Sequence, residues 1–213
     1  IMQKYDVSIV NYRLGNLHSV NNVCKSVGLK SIITNDKKII ENSKMLILPG
    51  VGSFSDGIKN LKELKLDSLI KELFLNGKPI IGICLGMQLF FETSEEGEIT
   101  DGLGLMKGKI KSFPKSIDFR VPHLGWSKVI FDEKFLKKEN LYELNSRDFY
   151  FAHSYYLEND NKNDCILASS TYNSIKFGSA VINKNLIGFQ FHPEKSGVSG
   201  IKIYKYLKKK FIK

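Results

Sequence analysis

The sequence predicts an α/β protein: three layers, with an open, mostly parallel sheet and antiparallel strands added at one edge. Three observations lead there. Short apolar runs alternate with helical patterns from Asp6 to Ile83, the pattern of parallel strands joined by crossover helices. Those runs are apolar at nearly every position, as strands covered on both faces are. Beyond Glu98 the texture changes to short strand-like segments separated by polar turns.

The first strand is placed over Asp6–Tyr12 on Val7, Ile9 and Val10. Asn16 is a candidate N-cap for the helix that follows. Leu17, Val20, Cys24 and Val27 recur at spacings of three and four, one apolar stripe, and Gly28 ends it. Leu29–Thr34 reads as a second strand and Lys44–Leu48 as a third, running into Pro49-Gly50-Val51-Gly52. A helix is expected over Leu61–Leu75, then the apolar strand Ile80–Ile83. Lys107–Phe113, Ser127–Phe131, Asp148–His153, Cys165–Thr171, Ser179–Ile182 and Leu186–Phe191 read as the later strands. A closing helix sets Ile201, Tyr204, Leu207 and Phe211 on one side with lysines opposite. No repeat, low-complexity tract or Pro/Ser-rich linker interrupts the chain, so 1–213 reads as a single domain.

Composition narrows the function classes. Hydrophobic residues at 42% and charged residues at 25% describe a globular chain rather than a disordered one. No run approaches the roughly 20 apolar residues of a membrane span, and the opening residues lack a basic region followed by a long apolar stretch. Cys24, Cys84 and Cys165 are odd in number, far apart and without a CxxC pair, which argues against a disulfide framework and a zinc site. A reducing cytoplasm is expected, with no membrane association. The net charge of +10 is almost all lysine, since Arg13, Arg120 and Arg147 are the only arginines. Scattered lysines describe a solvated surface, or a docking face, better than the clustered basic stripe of a nucleic-acid binder.

The stretch most informative about chemistry is Pro79–Gln88. An apolar strand ends in Gly82-Ile83-Cys84-Leu85-Gly86 and becomes a helix, the cysteine form of a strand–elbow–helix nucleophile turn. Glycines two residues either side would remove collisions with a nucleophile held on a sharp bend. The turn sets sulfur at a helix N-terminus, where the dipole favours a thiolate and free amides can hold an oxyanion. A sulfur acting on an amide needs a base and a group to orient that base. His192-Pro193-Glu194 supplies both: in extended chain, residues i and i+2 project to one side, so Glu194 can steady the His192 imidazole. His18 is expected on an exposed helix face, and His123 and His153 lack an acid two residues on. Pro49–Phe54 leaves the third strand at the carboxyl edge, where open α/β sheets place ligands, and its glycines let amides turn toward developing charge. Gly102, Gly104 and Gly108 do not lie between a strand and a helix and read as turns.

Cys84 within GICLGMQ, His192 and Glu194 within QFHPEKSG, and the PGVG loop together resemble class I (triad-type) glutamine amidotransferases, which have a flavodoxin-like fold. Asn11–Asn16 (NYRLGN), Pro122–Trp126 (PHLGW) and Tyr150–Tyr155 (YFAHSY) are similar to one subfamily, the glutaminase subunits of imidazole glycerol phosphate synthases. The resemblance covers nearly the whole chain. It implies a glutamyl thioester on Cys84, with His192 as base and Glu194 as its orienter. The amides of Val51 and Leu85 would form the oxyanion hole. Gly50, Gly52, Gln88, Glu96, His153, Ser154 and Tyr155 would contact glutamine. It implies no cofactor or metal, and a (βα)8-barrel cyclase subunit as heterodimeric partner. That barrel would use the ammonia to make imidazole glycerol phosphate and an aminoimidazole carboxamide ribotide. Three positions depart from the subfamily pattern: Asn11 and Arg13 stand where Asp and Gly are usual, and Ser127 where Asn is usual. They leave open a paralogue feeding ammonia to a sugar amidotransferase of surface-polysaccharide synthesis. A stand-alone cysteine peptidase of similar fold is the other alternative.

Overall fold

The structure is a computed structural model; it describes residues 5–114, 120–158 and 164–212. The parallel half of the sheet follows the expected alternation. β1 (Val7–Val10), α1 (Leu17–Ser26), β2 (Ser31–Thr34), α2 (Lys37–Asn42) and β3 (Met45–Leu48) come first. α3 (Phe54–Glu63), α4 (Leu66–Leu75), β4 (Ile80–Ile83) and α5 (Leu85–Gln88) follow. The later elements are β5 (Thr93–Ser94), β6 (Thr100–Asp101), β7 (Lys109–Ser112), β8 (His123–Phe131), α6 (Glu133–Glu139), β9 (Arg147–His153), β10 (Tyr155–Glu158), β11 (Ile166–Tyr172), β12 (Ile175–Asn183), β13 (Leu186–Phe189) and α7 (Gly197–Phe211).

The strand order is β2-β1-β3-β4-β13-β12-β10-β7-β5-β6. The strands β2, β1, β3, β4 and β13 run parallel. β12 turns back antiparallel on β13, and β10 and β7 continue antiparallel beyond it. β11 leads off β12 to β8, which pairs with β9. The alternation of side chains between two covered faces explains why the central strands are apolar at nearly every position, Ser8 of β1 excepted. Val7, Ile9, Met45, Ile47, Ile81 and Ile83 face one core with α1 and α7. Val10, Leu46, Leu48 and Ile80 face a second core with α3 and α4. The sheet is therefore the middle of three layers, as the sequence predicts.

Local signals set several boundaries. Asn16 Oδ1 accepts from the Ser19 amide, Asp36 caps α2 through Ile39, and Ser53 caps α3 through Asp56. Lys208 on α7 donates to the Val27 and Gly28 carbonyls, covering the free end of α1.

Four expectations need correction. The single helix over Leu61–Leu75 is two, because Lys65 takes a left-handed conformation (φ 53°) that ends α3 and starts α4. Helices α2 and α6 and strands β5, β6 and β10 were not foreseen; each is short, below the length at which periodicity is legible. On α7, Ile203 with Tyr204 and Leu207 is the buried set, while Ile201 is 36% exposed, because the sheet touches a stripe rotated toward Ile203. Ser127–Phe131 is only the end of β8, which begins at His123 and so carries the PHLGW motif on a strand.

Candidate active site

The elbow sits where β4 meets α5, at the carboxyl edge of the parallel strands. Cys84 has φ 52° and ψ −109°, a strained conformation for a residue with a side chain. It persists because both of its backbone polar groups are bonded: the Cys84 amide donates to the Phe189 carbonyl at 2.7 Å, and its own carbonyl accepts from the Gln88 amide. The glycines are required, but for a different reason from the one expected. A Cβ on Gly82 would lie 2.4 Å from the Phe90 ring and 2.7 Å from the Met87 amide. One on Gly86 would lie 1.8 Å from the Leu48 carbonyl oxygen, and one on Gly50 2.7 Å from Leu85 Cβ and 2.8 Å from the Gly86 amide. The collisions are with the flanking strand and helix, not with Cys84. Glycine thus lets α5 press against the end of β3, and this contact brings the PGVG loop beside the sulfur. Tyr12, fully buried, donates from its hydroxyl to the Pro49 carbonyl at 2.6 Å and anchors the start of that loop.

His192 and Glu194 are both buried, with side chains 1% exposed, and Nδ1 of the imidazole lies 2.8 Å from Glu194 Oε1. His192 itself is extended (φ −99°, ψ 93°), but the chain then enters a 3-10 turn over Pro193–Lys195, since Pro193 at its first position presets the helical φ. The His192 amide donates to the Tyr150 carbonyl, and Ser196 Oγ donates to the His192 carbonyl at 2.6 Å, so the ring is held from β9 and from the head of α7. Nε2 has no hydrogen-bond partner in good geometry among the described residues, which is common where such a contact tightens only with substrate. Burial alone would lower the affinity of this imidazole for a proton. The charge of the Cys84 sulfur, and then the Glu194 carboxylate, outweigh it and push the pKa up to about 10. The imidazolium is therefore the favoured form of the ring.

A cavity of about 270 Å³ opens at the elbow, lined by Val51, Gly52, Cys84, Leu85, Gln88, Glu96, Pro122, Leu124, Ala152, His153, Ser154 and Tyr155. It is smaller than the range of drug-sized pockets and suits a ligand of amino-acid size. Among the expected site residues, Gly50, His192 and Glu194 are not on the cavity wall; the pair lies buried behind it, and Gly50 is the spacer between loop and elbow. Glu96 reaches the wall from the loop after β5, and its Oε2 accepts from the Phe54 amide at 2.7 Å, at the head of α3. Burial raises its pKa, although that amide bond opposes the shift. Gln88 Nε2 donates to the Tyr155 carbonyl and to Gln190 Oε1, both at 2.9 Å.

His153 lies on the wall but is committed elsewhere. Its Nδ1 donates to the Tyr155 carbonyl at 2.8 Å, and its Nε2 meets His123 Nδ1 at 3.0 Å; His123 Nε2 in turn meets Ser127 Oγ at 2.9 Å. A carbonyl only accepts, so a neutral His153 carries its proton on Nδ1 and each further donor is fixed in turn, back to the Ser127 hydroxyl. Burial lowers His123 to about 4 and His153 to about 3. Groups lowered in the fold below the free value of 6.5 take up protons first in the unfolded chain, so their contribution to stability is present above about pH 6.5 and lost below it. Melting temperature is expected to fall steadily from pH 7 toward pH 4, and His123→Asn to flatten that fall; a thermal-melt series across pH checks it. Ser127 and His123 were not singled out as a pair by sequence, though their i, i+4 separation across a β-strand gave no cue that they meet.

Cys24 is wholly buried, and burial pushes its thiol up to about 12; Cys165 is half-buried rather than in the core. His18 lies on an exposed face of α1 as expected. No described helix is long and apolar enough to cross a membrane.

The family model described as glutamine amidotransferase class-I matches residues 8–213. A Methanococcus maripaludis protein named imidazole glycerol phosphate synthase subunit HisH 2 is 44% identical over 198 residues, 92% of this chain and 96% of its own. A Geobacillus protein named imidazole glycerol phosphate synthase subunit HisH is 42% identical over 201 residues, and a Campylobacter jejuni one, HisH 1, 37% over 200; each covers 92% of this chain, and the matches span 93% and 96% of those proteins. Among solved structures, PurLQS from Thermotoga maritima aligns with a TM-score of 0.74 at 20% identity, covering 98% of this chain and 99% of that one. The glutaminase domain of Trypanosoma brucei CTPS with bound acivicin aligns with a TM-score of 0.63 at 16% identity, over 95% and 90%. At such identities these structures speak for the fold alone. With the family model matching residues 8–213 and relatives above 40% identical over nine-tenths of the chain, this protein belongs to the class-I glutamine amidotransferase family.

Proposed function

We propose that the chain is the glutaminase subunit of an imidazole glycerol phosphate synthase, with Cys84 as nucleophile, His192 as general base and acid, and Glu194 as the group that orients the imidazole. The observation that carries the chemistry is the buried His192–Glu194 pair coupled to a strained cysteine on the wall of an amino-acid-sized cavity. The reaction follows from that geometry. The Cys84 sulfur attacks the carboxamide carbon of glutamine, the carbonyl electrons move to oxygen, and the amides of Val51 and Leu85 hold the oxyanion. The C–N bond then breaks and ammonia leaves with the proton from the His192 imidazolium. Neutral His192 takes a proton from water, whose oxygen adds to the thioester and releases glutamate and the sulfur. Glu96 is suited to the ammonium group of the substrate, and Ser154 and Tyr155 line the same cavity.

The partner reading rests on the relatives' names and on the cavity rim. Val51, Val121, Leu124 and Trp126 are exposed apolar side chains, 41%, 38%, 62% and 57% accessible, grouped on the PGVG loop and the start of β8. Exposed apolar and aromatic groups fit a docking face for a (βα)8-barrel cyclase that receives ammonia before water protonates it. The test is to assay glutamine hydrolysis by the chain alone and with the cyclase from the same genome. The expected result is a rise of tenfold or more when the loaded cyclase is added (roughly 1.4 kcal/mol in barrier). Equal turnover in both would contradict the pairing, and acceleration by a sugar-modifying enzyme instead would place the chain with the paralogue.

A further inference from the structure

Gln190 immediately follows β13, is completely buried, and has no part in the catalytic assignments above. Its backbone is fixed by donation to the Ser179 carbonyl at 2.9 Å. Its side-chain orientation follows from an atom that cannot change role. The Tyr155 carbonyl can only accept, so the Gln88 atom 2.9 Å from it is Nε2. That same nitrogen gives its second proton to Gln190 at 2.9 Å, so Gln190 presents Oε1 there. The remaining end of the amide, Nε2, then lies 3.7 Å from Cys84 Sγ. The other contact of the sulfur is the Ala152 carbonyl, also at 3.7 Å. These two neighbours favour opposite states. A carbonyl accepts from the neutral thiol and repels the anion, whereas an amide N–H donates to the anion.

We propose that the Gln190 carboxamide is a catalytic hydrogen-bond donor to the Cys84 sulfur, holding it as the attacking anion and linking it through Gln88 to the wall that receives the substrate. The proposal rests on Cys84 being the nucleophile. Two consequences follow. The sulfur has a donor independent of His192, so it does not lean on the imidazolium alone while the imidazole gives its proton to ammonia. Gln88 has committed both amide protons inside the protein, so the polar atom it has left for the substrate is the acceptor Oε1, which selects an N–H group.

The test uses the full chain, with Gln190→Met as a near-isosteric variant lacking the donor and Gln190→Glu as a second that replaces it by an oxygen. Iodoacetamide alkylation of Cys84 is followed across pH, together with kcat and KM for glutamine. Loss of a donor to a charged acceptor is expected to move the alkylation profile up by about one pH unit and to lower kcat by about tenfold, with KM changing less. A purely structural role would not displace the pH profile. A folded Gln190→Met protein with wild-type profile and kcat overturns the proposal while leaving Cys84 reactive. Failure of the parent reading looks different: no alkylation of Cys84 in the wild-type chain, or glutaminase activity retained by Cys84→Ala. Should both Gln190 variants misfold, the ¹⁵N resonance of the Gln190 side-chain amide decides. It is expected to shift on Cys84→Ala in an otherwise native spectrum, and an unmoved resonance counts against the contact.

Discussion

Cys84→Ala is expected to lower glutamine-dependent turnover by at least about 10³-fold, because the covalent route is lost outright and the remaining groups act only on a thioester that no longer forms. The same variant, complexed with its acceptor enzyme, should keep synthesis driven by added ammonium salt, since the acceptor site does not depend on the sulfur. Alanine removes a side chain from a strained elbow already locked by the Phe189 carbonyl and the Gln88 amide, so the fold should persist. The imidazole reports the change directly. In the wild-type chain the charge on Cys84 is the largest upward influence on His192; without it, burial dominates and the ring should lose its proton well below 10. Near pH 8, ¹⁵N spectra should show an imidazolium in the wild-type protein and a neutral ring in the variant. The raised value also sets a pH window. Its contribution to stability is complete below the free value of 6.5 and fades as pH rises through about 10.

Gly86→Ala is the second large effect, and it acts through packing. The added methyl would sit 1.8 Å from the Leu48 carbonyl oxygen, which is backbone in a central strand and cannot rotate away. Overpacking relieved by a side-chain shift costs about 1–3 kcal/mol. Here the strand or the helix must move, so a loss of at least about 3 kcal/mol is expected, a large share of the roughly 5–15 kcal/mol that holds a domain together. Any chain that still folds should have the PGVG loop displaced from the sulfur, because Gly50 packs on the Gly86 amide. Denaturant unfolding and glutaminase assays on the soluble fraction check both parts.

Much of this was legible in the sequence for identifiable reasons. The parallel strands announce themselves because burial on both faces makes them apolar at nearly every position, and the elbow does so because only glycine fits on either side of it. The His192–Glu194 pair was readable from its spacing, though the turn that joins them is helical rather than extended. What escaped depends on chain segments meeting from far apart. Gln190 stands inside the QFHPEKSG motif, two residues before His192, and the same i, i+2 rule would have directed it to the sulfur's side. Its partner Gln88 is 102 residues away, so the network that gives it a role has no local signature. The His123–His153 contact arises from the register of β8 on β9, where these two residues face each other directly. The break at Lys65 was hidden because lysine is an unusual residue in a left-handed turn. The position of Arg13, three residues beyond the end of β1, likewise gave no hint of its ion pair with Glu63 at 2.6 Å, which ties the loop after β1 to the end of α3.

The most direct measurement is peptide mapping by mass spectrometry after treatment with a chloroketone that mimics glutamine. One adduct per chain is expected, on Cys84, forming faster than with a chloroketone lacking the amino-acid group and slowed by added glutamine. An adduct on Cys24 or Cys165 instead, or a Cys84 that stays unmodified while glutamine is still hydrolysed, would contradict the assignment of that sulfur as the nucleophile.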